Sequence, residues 1–140
     1  MYRHILVPTD GSERSKRAAA HAADLATEHG SRLTVVPEVD VGRIDALGAD
    51  AVERTLRDAE RTAGRSAMDE TMAAFDASSV DATAEVVRGV PYRAICDHAD
   101  STDVDLVVMG TEGRTGLADH VLGSTTERVA RICDVPVLVV

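Results

Sequence analysis

The sequence predicts one α/β domain, residues 1–140, built on a single open, doubly wound, parallel five-stranded sheet with helices on both faces. Two observations predict it. Five short apolar runs alternate with amphipathic stretches at helical spacing, and that alternation calls for parallel strands joined by right-handed crossovers. Two of the runs, residues 5–7 and 104–109, are apolar nearly throughout, as strands covered on both faces must be.

The elements follow in order. Ile5, Leu6 and Val7 end at Pro8, Thr9, Asp10, Gly11 and Ser12, a turn signature that closes a strand in the middle of the sheet. Ser12 then caps a helix whose inner stripe is Ser15, Ala18, Ala19, Ala22, Leu25, Ala26 and His29, and Gly30 ends it. Residues 33–36 form the second strand, and Pro37 closes it before a loop that holds Gly42 and Gly48. From 50 to about 75 a long helix turns Val52, Leu56, Ala59, Ala63 and Ala67 inward. Gly64 weakens it by about 1 kcal/mol relative to alanine and marks a place for a bend.

Val80, Ala82, Ala84 and Val86 alternate with polar residues, the pattern of a strand near a sheet edge. Pro91 opens the third helix, which runs through Ala94, Ile95, His98 and Ala99. Residues 104–109 give the fourth strand. The last helix starts at a Ser124 N-cap, with Glu127 as its capping-box partner, and turns Leu122, Thr125, Val129, Ile132 and Cys133 inward. Residues 137–140 end the chain as the fifth strand.

Composition narrows the function. Tyr2, Phe75 and Tyr92 are the only aromatics, so the core is aliphatic and lacks stacking platforms for single-stranded nucleic acid. A net charge of -9 also argues against a phosphate-backbone partner. Lys16 is the only lysine among 15 basic residues facing 24 acidic ones, a surface suited to a salt-rich, halophilic cytoplasm in which self-repulsion is screened. No apolar stretch approaches 18 residues and no signal peptide precedes the first strand, so the expectation is a cytoplasmic chain with no membrane partner. Cys96 and Cys133 fall on helical patterns without metal spacing, and both are expected as buried free thiols. The five histidines share no ligand spacing either.

The segment that follows Met109 carries the chemistry. Gly110, Gly113, Gly116 and Gly123 allow backbone amides to approach an anion, and Ser124, Thr125 and Thr126 add hydroxyls where a helix N-terminus points at the same spot. An ordinary glycine-rich connection between strand and helix would show the same glycines. Two familiar phosphate loops are excluded, because neither G-x-x-x-x-G-K-[ST] nor a G-x-G-x-x-G after the first strand is present.

The remaining spacing, Gly110-x2-Gly113-x9-Gly123-Ser124, resembles the nucleotide loop of the ATP-binding universal stress proteins. The likeness is collinear over the chain, from Pro8, Thr9, Asp10 and Gly11 through Gly89 and Pro91 to Pro136 and Val140. It implies the adenine nucleotide alpha hydrolase-like fold with strand order 3-2-1-4-5. In that order the winding reverses between strands one and four, and a ligand sits beyond their carboxyl ends.

The resemblance further implies ATP as ligand, with Mg2+ or Mn2+ arriving on the nucleotide rather than in a protein metal cage. Pro8 and Thr9 would flank the base, Asp10 would meet the nucleoside, and the chain at Glu38 would read the adenine edge. Met109, Gly110, Gly113, Arg114, Gly123, Ser124, Thr125 and Thr126 would line the phosphates. Asp10 is also a good turn former and Arg114 is equally suited to solvent. Two positions depart from the family pattern: Glu38 interrupts an aliphatic run, and Glu112 puts a carboxylate where histidine is common.

Three functions compete. A nucleotide-dependent stress-response regulator fits best. A slow ATP-hydrolysing relative of the ATP pyrophosphatases would need S-G-G-x-D-S after the first strand, where this chain has Pro8, Thr9, Asp10, Gly11 and Ser12. A phospho-receiver domain would need a phosphorylatable Asp after the third strand, and residues 86–90 offer none. The uncharged terminal strand lies at a sheet edge in this order, and the family likeness adds a homodimer formed through it.

Overall fold

The computed structural model describes residues 1–38, 51–111 and 122–140. The chain runs β1 (His4–Thr9), α1 (Glu13–His29), β2 (Arg32–Pro37), α2 (Ala51–Ala77), β3 (Ala82–Ala84), α3 (Pro91–Ser101), β4 (Leu106–Met109), α4 (Ser124–Ile132) and β5 (Val137–Val139). All strand pairs are parallel and the sheet order is β3-β2-β1-β4-β5, as expected. The loop with Gly42 and Gly48 lies outside the described residues.

Strand pleating sorts the core into two layers. Ile5, Val7, Leu33, Val35, Leu106 and Val108 face α1 and α2, where they meet the alanine stripe of α1 and Met68 and Phe75 of α2. Leu6, Val36, Val107 and Met109 face the other side, against Ala94, Ile95, Cys96 and Ala99 of α3 and Val129 of α4. Because aromatics are so few, closeness comes from alanine. Ala18 and Ala22 are fully buried and let the α1 backbone approach the sheet. Gly30 takes φ 67°, a left-handed cap whose N–H bonds to the Ala26 carbonyl.

Six expectations need correction. Cys96 and Cys133 are joined in a disulfide with Cα atoms 5.0 Å apart, so they are not free thiols. Packing α3 beside α4 brings together two cysteines separated by 37 positions. Helix α2 passes through Gly64 without interruption, because Gly64 is buried and the helix gains more from tertiary contact than glycine costs. Its inner face is carried by Ala67, Met68, Thr71 and Phe75, while Ala59 is exposed.

The N-cap of α4 is Gly123, not Ser124, and no side chain caps this end. Thr126 and Val129 are the buried residues of α4, whereas Leu122 and Ile132 are 40% and 46% exposed. Likewise the alternation expected of β3 is not realised: Ala82 is half-buried, Ala84 and Val86 are exposed, and Val87 is the buried residue.

Candidate functional site

The crevice opens where β1 and β4 part. The β1–β2 ladder runs from His4↔Arg32 to Thr9↔Pro37, but the β1–β4 ladder covers only Ile5↔Leu106 and Leu6↔Val107. Pro8 lies just past that limit. Proline has no N–H to give a central ladder, so its place in a middle strand is tolerated where the neighbour has diverged. On the other side β2 stays attached, and the Glu38 amide still donates to the Thr9 carbonyl at 2.9 Å.

The first wall is the turn after β1. The Asp10 Oδ1 accepts from the Ser12 amide at 2.9 Å, Gly11 supplies φ 81°, and Ser12 caps α1 by accepting from the Ser15 amide at 3.2 Å. The Thr9 hydroxyl is buried within reach of Ser15 Oγ (3.1 Å) and Thr71 Oγ1 (3.4 Å), which ties α1 and α2 to the end of β1. Asp10 is also buried. Beside it, burial first and the Asp10 charge second push the Glu38 carboxyl up to about 8, so Glu38 holds its proton at neutral pH.

The second wall is the end of β4. Gly110 lies against the first turn of α1 so closely that a Cβ there would meet the Arg14 carbonyl carbon at 2.9 Å and oxygen at 3.0 Å. The Thr111 carbonyl accepts from the Gly123 amide at 2.6 Å, and Thr126 Oγ1 donates to the Gly110 carbonyl at 2.8 Å. These bonds bring the N-terminus of α4 back to the end of β4. Gly123, as the N-cap, brings no side-chain cap to the leading amides of α4 at Ser124, Thr125 and Thr126, and the helix dipole makes that end favourable to an anion.

Of the twelve expected site residues, Pro8, Thr9, Asp10, Glu38, Met109, Gly110, Gly123, Ser124, Thr125 and Thr126 therefore fall at the carboxyl ends of β1, β2 and β4 or on the first turn of α4. Met109 is fully buried in the α3–α4 layer, and the Thr126 hydroxyl is spent on Gly110. Gly113 and Arg114, with Glu112 and Gly116, lie outside the described residues. Arg14 carries no local signal in the sequence, yet its Nη1 donates to Thr111 Oγ1 at 2.8 Å across 97 positions. Among the described residues no three His, Cys, Asp or Glu side chains gather as a metal site.

The chain is thus a doubly wound α/β domain whose sheet parts at the switch point between β1 and β4, and comparison with known proteins identifies its family. Residues 1–140 match the universal stress protein family. The chain belongs to that family. A universal stress protein of Methanocaldococcus jannaschii is 35% identical over 140 residues, which cover all of this chain and 82% of that one. The solved structure of universal stress protein UspA from Lactobacillus plantarum superposes with a TM-score of 0.84 at 30% identity, covering 99% of this chain and 97% of that one. A universal stress protein solved in complex with cAMP gives a TM-score of 0.75 at 28% identity, with 99% and 97% covered.

Proposed function

We propose that this chain is an ATP-binding universal stress protein that acts as a nucleotide-dependent regulator of the stress response. The observation that carries the reading is the meeting of Asp10, Gly110 and the uncapped first turn of α4 at the parted ends of β1 and β4. The cAMP bound by a relative of 28% identity supports an adenine nucleotide as the ligand class. Phosphates would rest on the amides of Gly123, Ser124 and Thr125. Asp10 would accept from ribose hydroxyls, and the chain at Glu38 would face the base.

Each charge-assisted hydrogen bond contributes about 1.5–3 kcal/mol, and micromolar binding needs about 8 kcal/mol, so four or five such contacts with base burial suffice after association costs. Magnesium or manganese would come with the phosphates. The one lysine, Lys16, pairs with Glu13 and Glu70, which leaves no lysine for phosphoryl transfer and supports binding over turnover. Titration calorimetry with ATP tests the proposal: the expected outcome is micromolar affinity that tightens with Mg2+, and no heat at millimolar ATP would overturn it.

The functional unit we infer is a homodimer through the free edge of β5, where half-buried Val137, Leu138 and Val139 carry no charge or proline to block pairing. Light scattering of the chain with and without residues 137–140 reads this directly, and a monomer at high micromolar concentration refutes it. The net charge of -9 supports a halophilic, cytoplasmic setting. A melting midpoint that does not rise between 0.1 M and 2 M KCl would refute that.

A further inference from the structure

We infer that Cys133 is a redox modification site: a dithiol opens the Cys96–Cys133 bond by attack at the Cys133 sulfur, and the opening frees the connection between α4 and β5. Cys133 is the C-cap of α4, at the end opposite Gly123 and Ser124, so the inference is independent of the nucleotide reading.

The two sulfurs are not equally accessible. Cys96 is 2% exposed, inside the layer that α3 and α4 lay on the sheet, whereas Cys133 is half-buried at the rim of that layer. Thiol–disulfide exchange starts when a thiolate reaches one sulfur, so access selects Cys133 as the sulfur attacked and Cys96 as the one that leaves. The incoming thiolate bonds Cys133 Sγ, the bond between the two cysteines breaks, and its electron pair goes to Cys96 Sγ, which takes a proton from solvent. The second thiolate of the dithiol then attacks the sulfur already bound to Cys133 and releases Cys133 Sγ, which is protonated in turn. The chain gains two thiols, and the dithiol leaves as a disulfide. An acceptor for the buried thiol is in place, because Cys96 Sγ lies 3.9 Å from the Val129 carbonyl of α4.

What the bond holds is the turn between α4 and β5. The Cys133 amide ends α4 by donating to the Val129 carbonyl at 3.0 Å, and β5 begins at Val137. The disulfide ties this turn to α3, and beside it the Asp134 amide donates to Asp100 Oδ1 at 3.3 Å, a long and exposed bond that competes with water. Asp134 and Pro136 are themselves exposed, so opening the disulfide removes the stronger tie from a segment with little packing of its own. The sheet still holds. The Val107 amide donates to the Pro136 carbonyl and the Val140 amide to the Met109 carbonyl, both at 2.9 Å, and neither bond involves α3.

The test uses the full oxidised chain in native buffer, with 2-mercaptoethanol as the probe, quenched by acid part-way, unfolded, alkylated and mapped by peptide mass. The mercaptoethanol adduct is expected on Cys133 in at least about nine of ten trapped molecules, with Cys96 alkylated. The rate should rise in proportion to thiol and stay the same in about 1 M urea, as attack on the folded chain requires. Dithiothreitol should then reduce the bond reversibly. The amide order parameters of Cys133, Asp134 and Val135 should fall from about 0.85 to below about 0.6 on reduction, while those of Leu33 and Val107 stay near 0.85. An adduct mainly on Cys96 overturns the site, as does a rate that levels off with thiol and climbs with urea, which would mean that the bond is reached only through the unfolded chain. Order parameters that stay high on reduction, a chain that unfolds when the bond opens, or two thiols that oxidised dithiothreitol does not join overturn it equally.

Discussion

The two ends of the sheet are built from similar residues and put them to opposite use. At the amino end, His4 Nδ1 meets Asp103 Oδ1 at 2.7 Å and His4 Nε2 meets Thr34 Oγ1 at 2.7 Å. Arg32 closes on the same Asp103, and the Asp105 carboxylate accepts from the amides of Arg3 (2.8 Å) and His4 (3.2 Å). An acid, an imidazole and a hydroxyl in a row have the composition of a hydrolytic triad. Yet Thr34 is 3% exposed and His4 is 7% exposed, so no substrate reaches them. The imidazole and then the guanidinium hold Asp103 below the usual carboxylate range, which is a statement about pairing rather than catalysis.

At the carboxyl end the same kinds of group face a gap. Thr9 and Asp10 are buried, but the β1–β4 ladder has already stopped, Glu38 retains a proton beside Asp10, and the first turn of α4 is uncapped. Charges that satisfy one another make a knot that fixes strand order; groups held apart at a parted pair of strands are what the proposed receptor would use. Residue type alone does not separate the two cases. What separates them is whether the partner is already in the chain.

The largest effect that would sharpen this contrast belongs to the disulfide. Cys133 caps α4 at the end remote from Ser124, and Cys96 lies in α3, so the bond ties the two helices together away from the crevice. Closing a loop of this length restricts the unfolded chain by about 4 kcal/mol. Thermal unfolding of the paired Cys96→Ser, Cys133→Ser variant should show a loss of that order, while ATP affinity measured on the folded variant stays within about threefold. A large drop in affinity at intact fold would mean that the two ends are coupled, and the division drawn above would fail.

A middle-sized effect comes from Glu38 and runs with pH. Below the ordinary value of 4.5 both the folded and the unfolded chain carry this proton; up to about 8 only the folded chain does. The folded state then binds the extra proton, so stability falls as pH rises across that window. Glu38 is half-buried, and with that solvent access the loss is about 2–3 kcal/mol rather than the full amount the shift implies. Denaturant titrations at pH 5 and pH 8.5 should show it, and Glu38→Gln should flatten the difference. An unchanged slope in Glu38→Gln would place the proton elsewhere.

Much of this was legible in the residues. Strand positions, the Ser12 and Gly30 caps, Pro91 at the start of α3 and the sheet order all follow local or collinear signals. The proposed crevice was pointed to by Asp10 and by the spacing of Gly110 and Gly123. What escaped depends on contacts between distant positions. Nothing near Cys96 announces Cys133, nothing near His4 announces Asp103 some hundred positions later, and Arg14 is one arginine among many until Thr111 is placed beside it. The shift of the α4 cap from Ser124 to Gly123 has a different origin: both residues suit a cap, and the bond from the Gly123 amide to Thr111 decides between them.

The smallest expected effect on stability is also the sharpest test of the comparison, and it concerns Asp10. Its Oδ1 accepts from the Ser12 amide, and an asparagine Oδ1 can accept that bond unchanged. Asp10→Asn should therefore alter the melting free energy by less than about 0.5 kcal/mol, within the range of substitutions that keep their contacts. It also removes the charge that helps to raise Glu38, so the pH dependence of stability should shrink in the same variant. For ribose the change is not neutral. The turn keeps its geometry, but an amide replaces a carboxylate as acceptor, and hydrogen bonds to charged groups contribute about 1.5–3 kcal/mol against about 1 for neutral ones. ATP affinity should fall about three- to thirtyfold by calorimetry while circular dichroism and melting stay near wild type. If Asp10→Asn instead unfolds the chain and spares nucleotide affinity, the carboxyl end is a second knot like the one around His4, and the receptor lies elsewhere.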